Sequence, residues 1–209
     1  MTARKRLALL IPVMFLALSC TETPKEVKKK EPEKPPEPVS GRTAFHQMFV
    51  AARSWAPDVQ PLQLVSLPIE GVKPADGKFG AWRCLFASQS RAKLRIYTYA
   101  VVEGTGNLHK GVFHEPGEEN FSGTRGQAKP FLVQAFRTDT PDALKTALDQ
   151  GGAAEFVKKN PTVPMTFLLE WTPRFPSPAW RVIWGESVST SQYSVFVDAS
   201  TGAFLAKVR

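Results

Sequence analysis

The chain has 209 residues, of which 43% are hydrophobic and 22% charged, and its formal net charge is +8 at pH 7. Three of the basic residues lie at positions 4–6, and the rest of the positive surplus is spread along the chain without a dense Lys/Arg cluster. We therefore expect no nucleic-acid partner. Residues 41–209 are long enough to bury a hydrophobic core, as one domain or as two small ones.

The first 19 residues have the pattern of a secretory signal peptide. Basic residues are followed by a run of twelve apolar residues at 7–18. This run is too short to cross a bilayer, which needs about 20 apolar residues. We therefore predict a signal peptide over residues 1–19 rather than a membrane-spanning helix.

Cys20 lies where such a signal would be cleaved. Residues 17–20 read Ala-Leu-Ser-Cys and resemble the lipobox of bacterial lipoproteins, with Ala17 where that family usually has Leu. The resemblance implies that Cys20 receives a diacylglycerol and, as the new N-terminus, an acyl chain such as palmitate. The mature protein would then be a membrane-anchored lipoprotein. The alternative is a secretory signal that merely contains a cysteine.

Residues 20–40 are predicted to be the lipidated cysteine and a disordered linker. Residues 21–40 contain five Lys, five Glu and five Pro and very few apolar side chains, so they cannot bury enough surface to fold. In the extended geometry that proline favours, they would reach on the order of 60 Å. Retained inner-membrane lipoproteins often have Asp at the position of Thr21, so a two-membrane cell would carry this protein at the outer membrane, facing the periplasm.

The next segment is predicted to be a helix followed by strands. Thr43 is the expected cap of a helix that buries Phe45 and Phe49 and ends at Pro57. Alternating apolar residues then predict strands at 63–67, 81–86 and 94–102. Arg91, Lys93 and Arg95 are interpreted as one solvated strand face.

Residues 113–138 are predicted to be a connector, and the long stretch at 112–130, which overlaps most of it, is expected to be mobile. The one cluster considered as a metal site lies in and just before this stretch and consists of His109, His114, Glu115, Glu118 and Glu119. Its spacing matches no closed zinc pattern such as His-Glu-x-x-His. No nucleophile elbow, phosphate-binding loop or activated cysteine is present in the sequence. We therefore expect no metal, no cofactor and no enzymatic activity.

A second helix and a second set of strands follow the connector. Thr140 is the expected cap, Pro141 the first helical residue, and the glycines at 151–152 a break before a stop at 160–161. Strands are predicted at 165–171, 179–184 and 193–198.

The closing residues Asp198, Thr201 and Gly202 invite a catalytic interpretation. A structural one is preferred, because an Asp side chain accepts hydrogen bonds from amides two residues on and Gly supplies a positive φ. We predict that these three residues form a hairpin turn.

The two halves contain an internal repeat. Ala-Trp-Arg occurs at 81–83 and again at 179–181, and Cys84 then falls opposite Val182. Because Cys84 is the only thiol left once Cys20 is lipidated, no intramolecular disulfide is expected and Cys84 is assigned to packing. We predict an α+β fold of two repeats, residues 41–112 and 139–209, each a helix packed on a three- to four-stranded antiparallel sheet.

The second repeat resembles the PepSY family of small secreted and membrane-associated domains. The resemblance rests on Asp-Ala-Leu at 142–144, Pro161, the strand around Trp180, Tyr193, and Val-Asp-Ala-Ser-Thr-Gly at 197–202. The first repeat is a degenerate match, with Val102 where Asp198 stands. The resemblance implies a non-enzymatic binding domain and, by extension, regulation of a secreted peptidase.

These observations predict a lipid-anchored cell-envelope protein that acts as a binding module for a protein or an envelope polymer. The alternative is a structural or assembly accessory lipoprotein of the outer membrane. An exposed aromatic patch that includes Trp55, Trp171 or Trp184 would favour partner binding.

Overall fold

One antiparallel sheet with helices on one face organises residues 35–208, the part of the chain that the computed structural model describes. The helices are α1 (Gly41–Trp55), α2 (Thr140–Asp149) and α3 (Ala153–Lys159), with a short 3-10 helix at Val133–Ala135. The strands are β1 (Gln60–Leu67), β2 (Ala81–Ser88), β3 (Lys93–Ala100), β4 (Gly111–His114), β5 (Glu119–Asn120), β6 (Met165–Glu170), β7 (Ala179–Trp184), β8 (Tyr193–Asp198) and β9 (Phe204–Val208). The predicted signal peptide, Cys20 and most of the linker lie outside the described residues.

The strand order is β4-β3-β2-β1-β6-β7-β8-β9, and β5 pairs with β3 beside β4. Each half therefore adds its strands consecutively, outward from β1 or from β6. The halves meet where β1 pairs with β6 through three residue pairs, of which Val65↔Leu168 is the last. The α+β class and the antiparallel pairing are confirmed. Instead of two small sheets, however, the described strands form one nine-stranded sheet.

Both long helices are capped earlier in the sequence than predicted. Ser40 caps α1, and its hydroxyl accepts a hydrogen bond from the amide of Thr43, so Thr43 is not the cap. Asp139 caps α2, and Thr140 is already helical. The sequence offered several capping residues in succession at each site, and local preference could not choose among them.

The aromatic strand faces predicted around the repeated Trp lie beneath the helices. Trp82, Cys84 and Phe86 on β2, and the matching alternate residues on β7, are buried in one cluster together with residues of α1 and α2. Burial raises the pKa of the Cys84 thiol well above its usual range, so the thiol stays protonated and packs as a small apolar group.

Both helix N-termini meet at Asp139. One carboxylate oxygen of Asp139 accepts hydrogen bonds from the amides of Thr140, at 2.8 Å, and Arg42, at 2.9 Å. The other oxygen accepts from the hydroxyl of Ser40 at 2.6 Å. A single negative charge thus caps two helices, where the helix dipoles favour it.

The connector contains regular structure that the sequence did not predict. Within it, β4 and β5 pair with β3, and Phe121 and Ala128 are buried on the face of the sheet opposite the helices. The predicted boundary at residue 112 falls inside β4. The connector contains apolar residues at irregular spacing, so its burial gave no periodic signal in the sequence.

We expect Gly41→Ala to destabilise the fold. A Cβ at Gly41 would lie 2.9 Å from Cγ2 of Thr140 and about 3 Å from the ring edges of Trp82 and Trp180. The neighbouring side chains must shift to make room for the Cβ, and this should lower the free energy of unfolding by about 2 kcal/mol. Urea denaturation measures the change. Gly117→Ala is the control, because nothing lies within 4 Å of the added Cβ. Equal stabilities of the two variants would contradict the close packing at Gly41.

Candidate functional site

A groove runs along α1 on its side facing the connector. The groove is a cavity of about 610 Å³ between α1 and the segment around the 3-10 helix. Its apolar lining comes from Phe45, Phe49, Val50, Val133 and Phe136. Because the volume falls within the range of binding pockets, about 300–1,000 Å³, the helix groove can accept several side chains of a partner.

The floor of the helix groove is rigid because it is part of the core. The Phe136 ring packs edge-on against Phe45, with ring centroids 5.2 Å apart, and against Trp180 at 5.5 Å. The Phe45 and Phe49 rings stack at 5.6 Å. The groove is therefore preformed, which reduces the entropy lost when a ligand binds.

One large apolar side chain that lines the helix groove is exposed, and so is another that precedes the lining residue Val133. Val50 on α1 is 58% exposed and Leu132, next to the 3-10 helix, is 61% exposed. These are the highest values among the large apolar residues of the described segment. Exposed apolar groups beside a concave surface mark an interaction site more often than scattered ones do. The sequence contained a signal for Val50, because it lies off the apolar face of the predicted helix.

The charged residues that line the helix groove are cationic. Arg42 and Arg53 lie on α1 with His46 between them, and no acidic residue lines the cavity or occurs in α1. Arg42 is held in place, since its guanidinium donates a hydrogen bond of 2.7 Å to the carbonyl of Arg137. The groove thus combines an apolar floor with positive charge.

The aromatic residues that would have indicated a binding patch are engaged within the fold. Trp184 is buried in the core. The indole nitrogen of Trp55 donates to Glu118 at 2.8 Å, and Arg95 stacks over its ring. Lys129 lies 3.6 Å above the ring of Trp171. Arg95 also bonds Glu118 at 3.0 Å, so the Arg91 to Arg95 stretch is not simply a solvated face.

The histidines and glutamates considered for a metal do not come together. His109 pairs with Glu103 at 2.6 Å, while His114 contacts the carbonyl of Glu115. Glu118 pairs with Arg95, and Glu119 bonds Arg125. Within residues 35–208 no group of three or more potential ligands is close enough to hold an ion. Glu103 is a partner that the sequence spacing did not reveal.

Asp198, Thr201 and Gly202 lie in the turn between β8 and β9. One carboxylate oxygen of Asp198 accepts hydrogen bonds from the amides of Ser200 and Thr201, both at 2.8 Å. The other accepts from the hydroxyl of Ser177. Gly202 has a φ of 75°, which favours glycine. Burial alone would raise the pKa of Asp198, but the hydrogen bonds from Ser177 and the turn outweigh it and lower that pKa.

Comparisons with known proteins do not identify a family for this chain. No protein-family model matches the sequence, and no curated protein matches it. One solved structure, a "putative lipoprotein" of Clostridium difficile 630, is 10% identical with a TM-score of 0.48, over 79% of this chain and 91% of the other. At that TM-score the likeness carries no functional argument. The resemblance to PepSY domains is a hypothesis from the residues alone.

None of the helices in residues 35–208 has the length and apolar character needed to cross a membrane.

We expect Asp198→Asn to weaken the turn and to change the response of the protein to acid. The lowered pKa means that ionised Asp198 stabilises the fold above the usual carboxyl range, and that this contribution disappears as pH falls through the folded-state pKa. The variant should lose about 1 kcal/mol at pH 7 and lose less further stability between pH 5 and 2 than the parent. Urea unfolding across pH measures both.

The control for this prediction is Glu37→Gln, which alters an exposed carboxylate. Glu37→Gln should have the same stability as the parent at pH 7, and it should lose as much stability as the parent does between pH 5 and 2. If Asp198→Asn lost as much stability in acid as the parent does, the carboxylate of Asp198 would not contribute to the pH dependence of folding.

Proposed function

We propose that the protein is a lipid-anchored, non-enzymatic binding module of the cell envelope. The signal-like residues 1–19, the lipobox-like sequence that ends at Cys20 and the Lys/Glu/Pro linker support the anchor. Thr21 supports the outer membrane, facing the periplasm, as its location. We propose no catalytic residue, metal or cofactor.

The observation that carries the binding role is the helix groove, which has an apolar floor, an exposed Val50 and only cationic charged residues in its lining. Charge complementarity favours a partner segment that combines apolar side chains with acidic ones. Apolar side chains would fill the groove, and carboxylates would pair with Arg42 and Arg53. The proposed ligand is therefore an acidic, apolar segment of an envelope protein.

We further propose that the fold consists of two copies of one PepSY-like unit. In each half a helix precedes strands that pair consecutively. The indole of Trp82 donates to the carbonyl of Val39 at 3.1 Å, and that of Trp180 to the carbonyl of Thr138 at 2.8 Å. Each acceptor lies one residue before a helix cap. This correspondence supports the repeat. The resemblance of the second repeat to PepSY domains extends the proposal to a secreted peptidase as the partner.

Labelling of cells with an alkyne analogue of palmitate tests the anchor. We expect the label on the parent protein and on Cys84→Ala, and its loss from Cys20→Ser, because Cys20 and Cys84 are the two cysteines of the chain. Cys84→Ala is the matched control, since Cys84 is buried and packs as a small apolar residue. Label retained by Cys20→Ser would refute lipidation at that residue.

A photo-crosslinking amino acid at position 50 tests the helix groove in the native envelope. We expect crosslinks to an acidic, apolar segment of one protein, mapped by mass spectrometry, and about a tenfold loss of crosslinking with Arg53→Glu, which reverses one charge. The control position is Val112, another exposed valine.

Equal crosslinking at both positions, or no effect of Arg53→Glu, would contradict the proposed site. Crosslinks to a secreted peptidase would support the regulatory role. Crosslinks to outer-membrane assembly proteins would instead favour the accessory lipoprotein.

A further inference from the structure

The face of the sheet opposite the helices carries one arginine from each Ala-Trp-Arg segment. Arg83 on β2 and Arg181 on β7 each follow a buried Trp, and side chains alternate along a strand. The two arginines therefore lie on this face, which the connector covers only in part. Arg83 is exposed and Arg181 is half-buried.

Both arginines belong to one row across the strands. Arg83 pairs with Val65, Val65 with Leu168, and Leu168 with Arg181. Three strand intervals separate the arginines, which places their backbones about 14 Å apart. The two residues between them are apolar, and they lie at the junction of β1 and β6, where the pairing ends.

A cleft opens beside this row. Past Val65↔Leu168 the strands separate, and the amide of Phe167 bonds the side chain of Ser66, at 2.9 Å, instead of a backbone carbonyl. The resulting cavity of about 490 Å³ is lined by apolar residues that include Val65, Leu168 and Ile183, and by Arg83. The cleft thus adjoins the two apolar residues at the middle of the row and can accept an apolar side chain beside Arg83.

Neither arginine of the row forms an ion pair with a carboxylate of the described residues. Arg181 donates from Nε to the hydroxyl of Ser194 at 3.1 Å. The guanidiniums of Arg181 and Arg174 lie over the ring of Phe196, at 5.3 and 4.3 Å. Burial, and then Arg174, lower the pKa of Arg181, and the charge of Glu170 only partly offsets them. A half-buried cation beside a second cation would be stabilised by an external anion.

Two acidic groups are near the row, where they are outnumbered by three cations, Arg83, Arg181 and Arg174. Glu170 accepts a hydrogen bond from the side-chain amide of Gln63 at 2.9 Å, and Glu186 is exposed at the cleft. A second copy of this chain is a poor occupant, because face-to-face packing would bring arginines against arginines. An acidic ligand with an apolar centre fits both the charges and the cleft.

We propose that this arginine row binds an extended segment of a partner protein with acidic residues at positions i and i+4 and an apolar residue at i+2. In an extended chain those three side chains share one face, and the acidic residues lie about 14 Å apart. The carboxylates pair with Arg83 and Arg181, and the apolar side chain enters the cleft. The site is separate from the helix groove and depends on neither that groove nor the lipid anchor.

Synthetic peptides test the proposal directly. The protein is the chain from residue 20 with Cys20→Ser, and the probes are fluorescent, end-blocked peptides of the form Thr-Glu-Thr-Leu-Thr-Glu-Thr. We expect binding, by anisotropy, that is about tenfold tighter for Glu at i and i+4 than for the i, i+2 or i, i+6 spacings. Arg83→Ala and Arg181→Ala should each weaken binding about tenfold, and Arg181→Lys less, because a lysine retains charge but loses the bidentate geometry.

Lys158→Ala is the control, because it removes an exposed cation on α3 that lines neither site, and it should leave peptide binding unchanged. Circular dichroism and urea unfolding show whether each variant is folded, and Arg181→Lys replaces Arg181→Ala if the latter does not fold. Absence of binding, binding independent of spacing, an equal loss with Lys158→Ala, or a loss with Arg53→Ala in place of the arginine-row variants would overturn the proposal. Since Arg53→Glu is tested separately at the helix groove, failure of one site is distinguishable from failure of the other.

Discussion

The contact between Gly41 and the two repeated tryptophans is the constraint on which the rest of the structure depends. Gly41 has no side chain, and the ring edges of Trp82 and Trp180 and the methyl group of Thr140 converge on the space that a Cβ would occupy. The amide of Gly41 also donates to the hydroxyl of Thr140 at 3.0 Å. Close approach of the two helix N-termini is possible because this residue is glycine.

This contact compensates for a short junction in the sheet. Three residue pairs join β1 to β6, fewer than join most neighbouring strands within each half. The helix layer supplies the additional connection, since Asp139 caps both α1 and α2 and both tryptophans pack in one core. The same helix layer fixes the geometry of the helix groove, because Phe136 packs on Phe45 and on Trp180.

The sequence predicted the parts of the fold that have a local periodic signal. The helix break at Gly151 and Gly152, the strand of residues 193–198 and the buried faces around Trp82 and Trp180 follow from spacing alone. The pairing of β1 with β6 joins residues about a hundred positions apart and has no local signal, so one continuous sheet was not predicted. The helix groove was missed for a similar reason, since Val133 and Phe136 meet α1 only through tertiary packing.

The entry of the chain into the fold connects the proposed tether to this central contact. The carbonyl of Val39 accepts hydrogen bonds from the amide of Phe79, at 2.9 Å, and from the indole of Trp82, at 3.1 Å. The next residue, Ser40, caps α1 and bonds Asp139. Tension on the preceding residues would therefore act on the junction of the two halves and not on an outer strand. Because the hydrogen bonds of Val39 and the aromatic packing around Trp82 resist such a load together, residue 39 is a firm attachment point for the proposed tether.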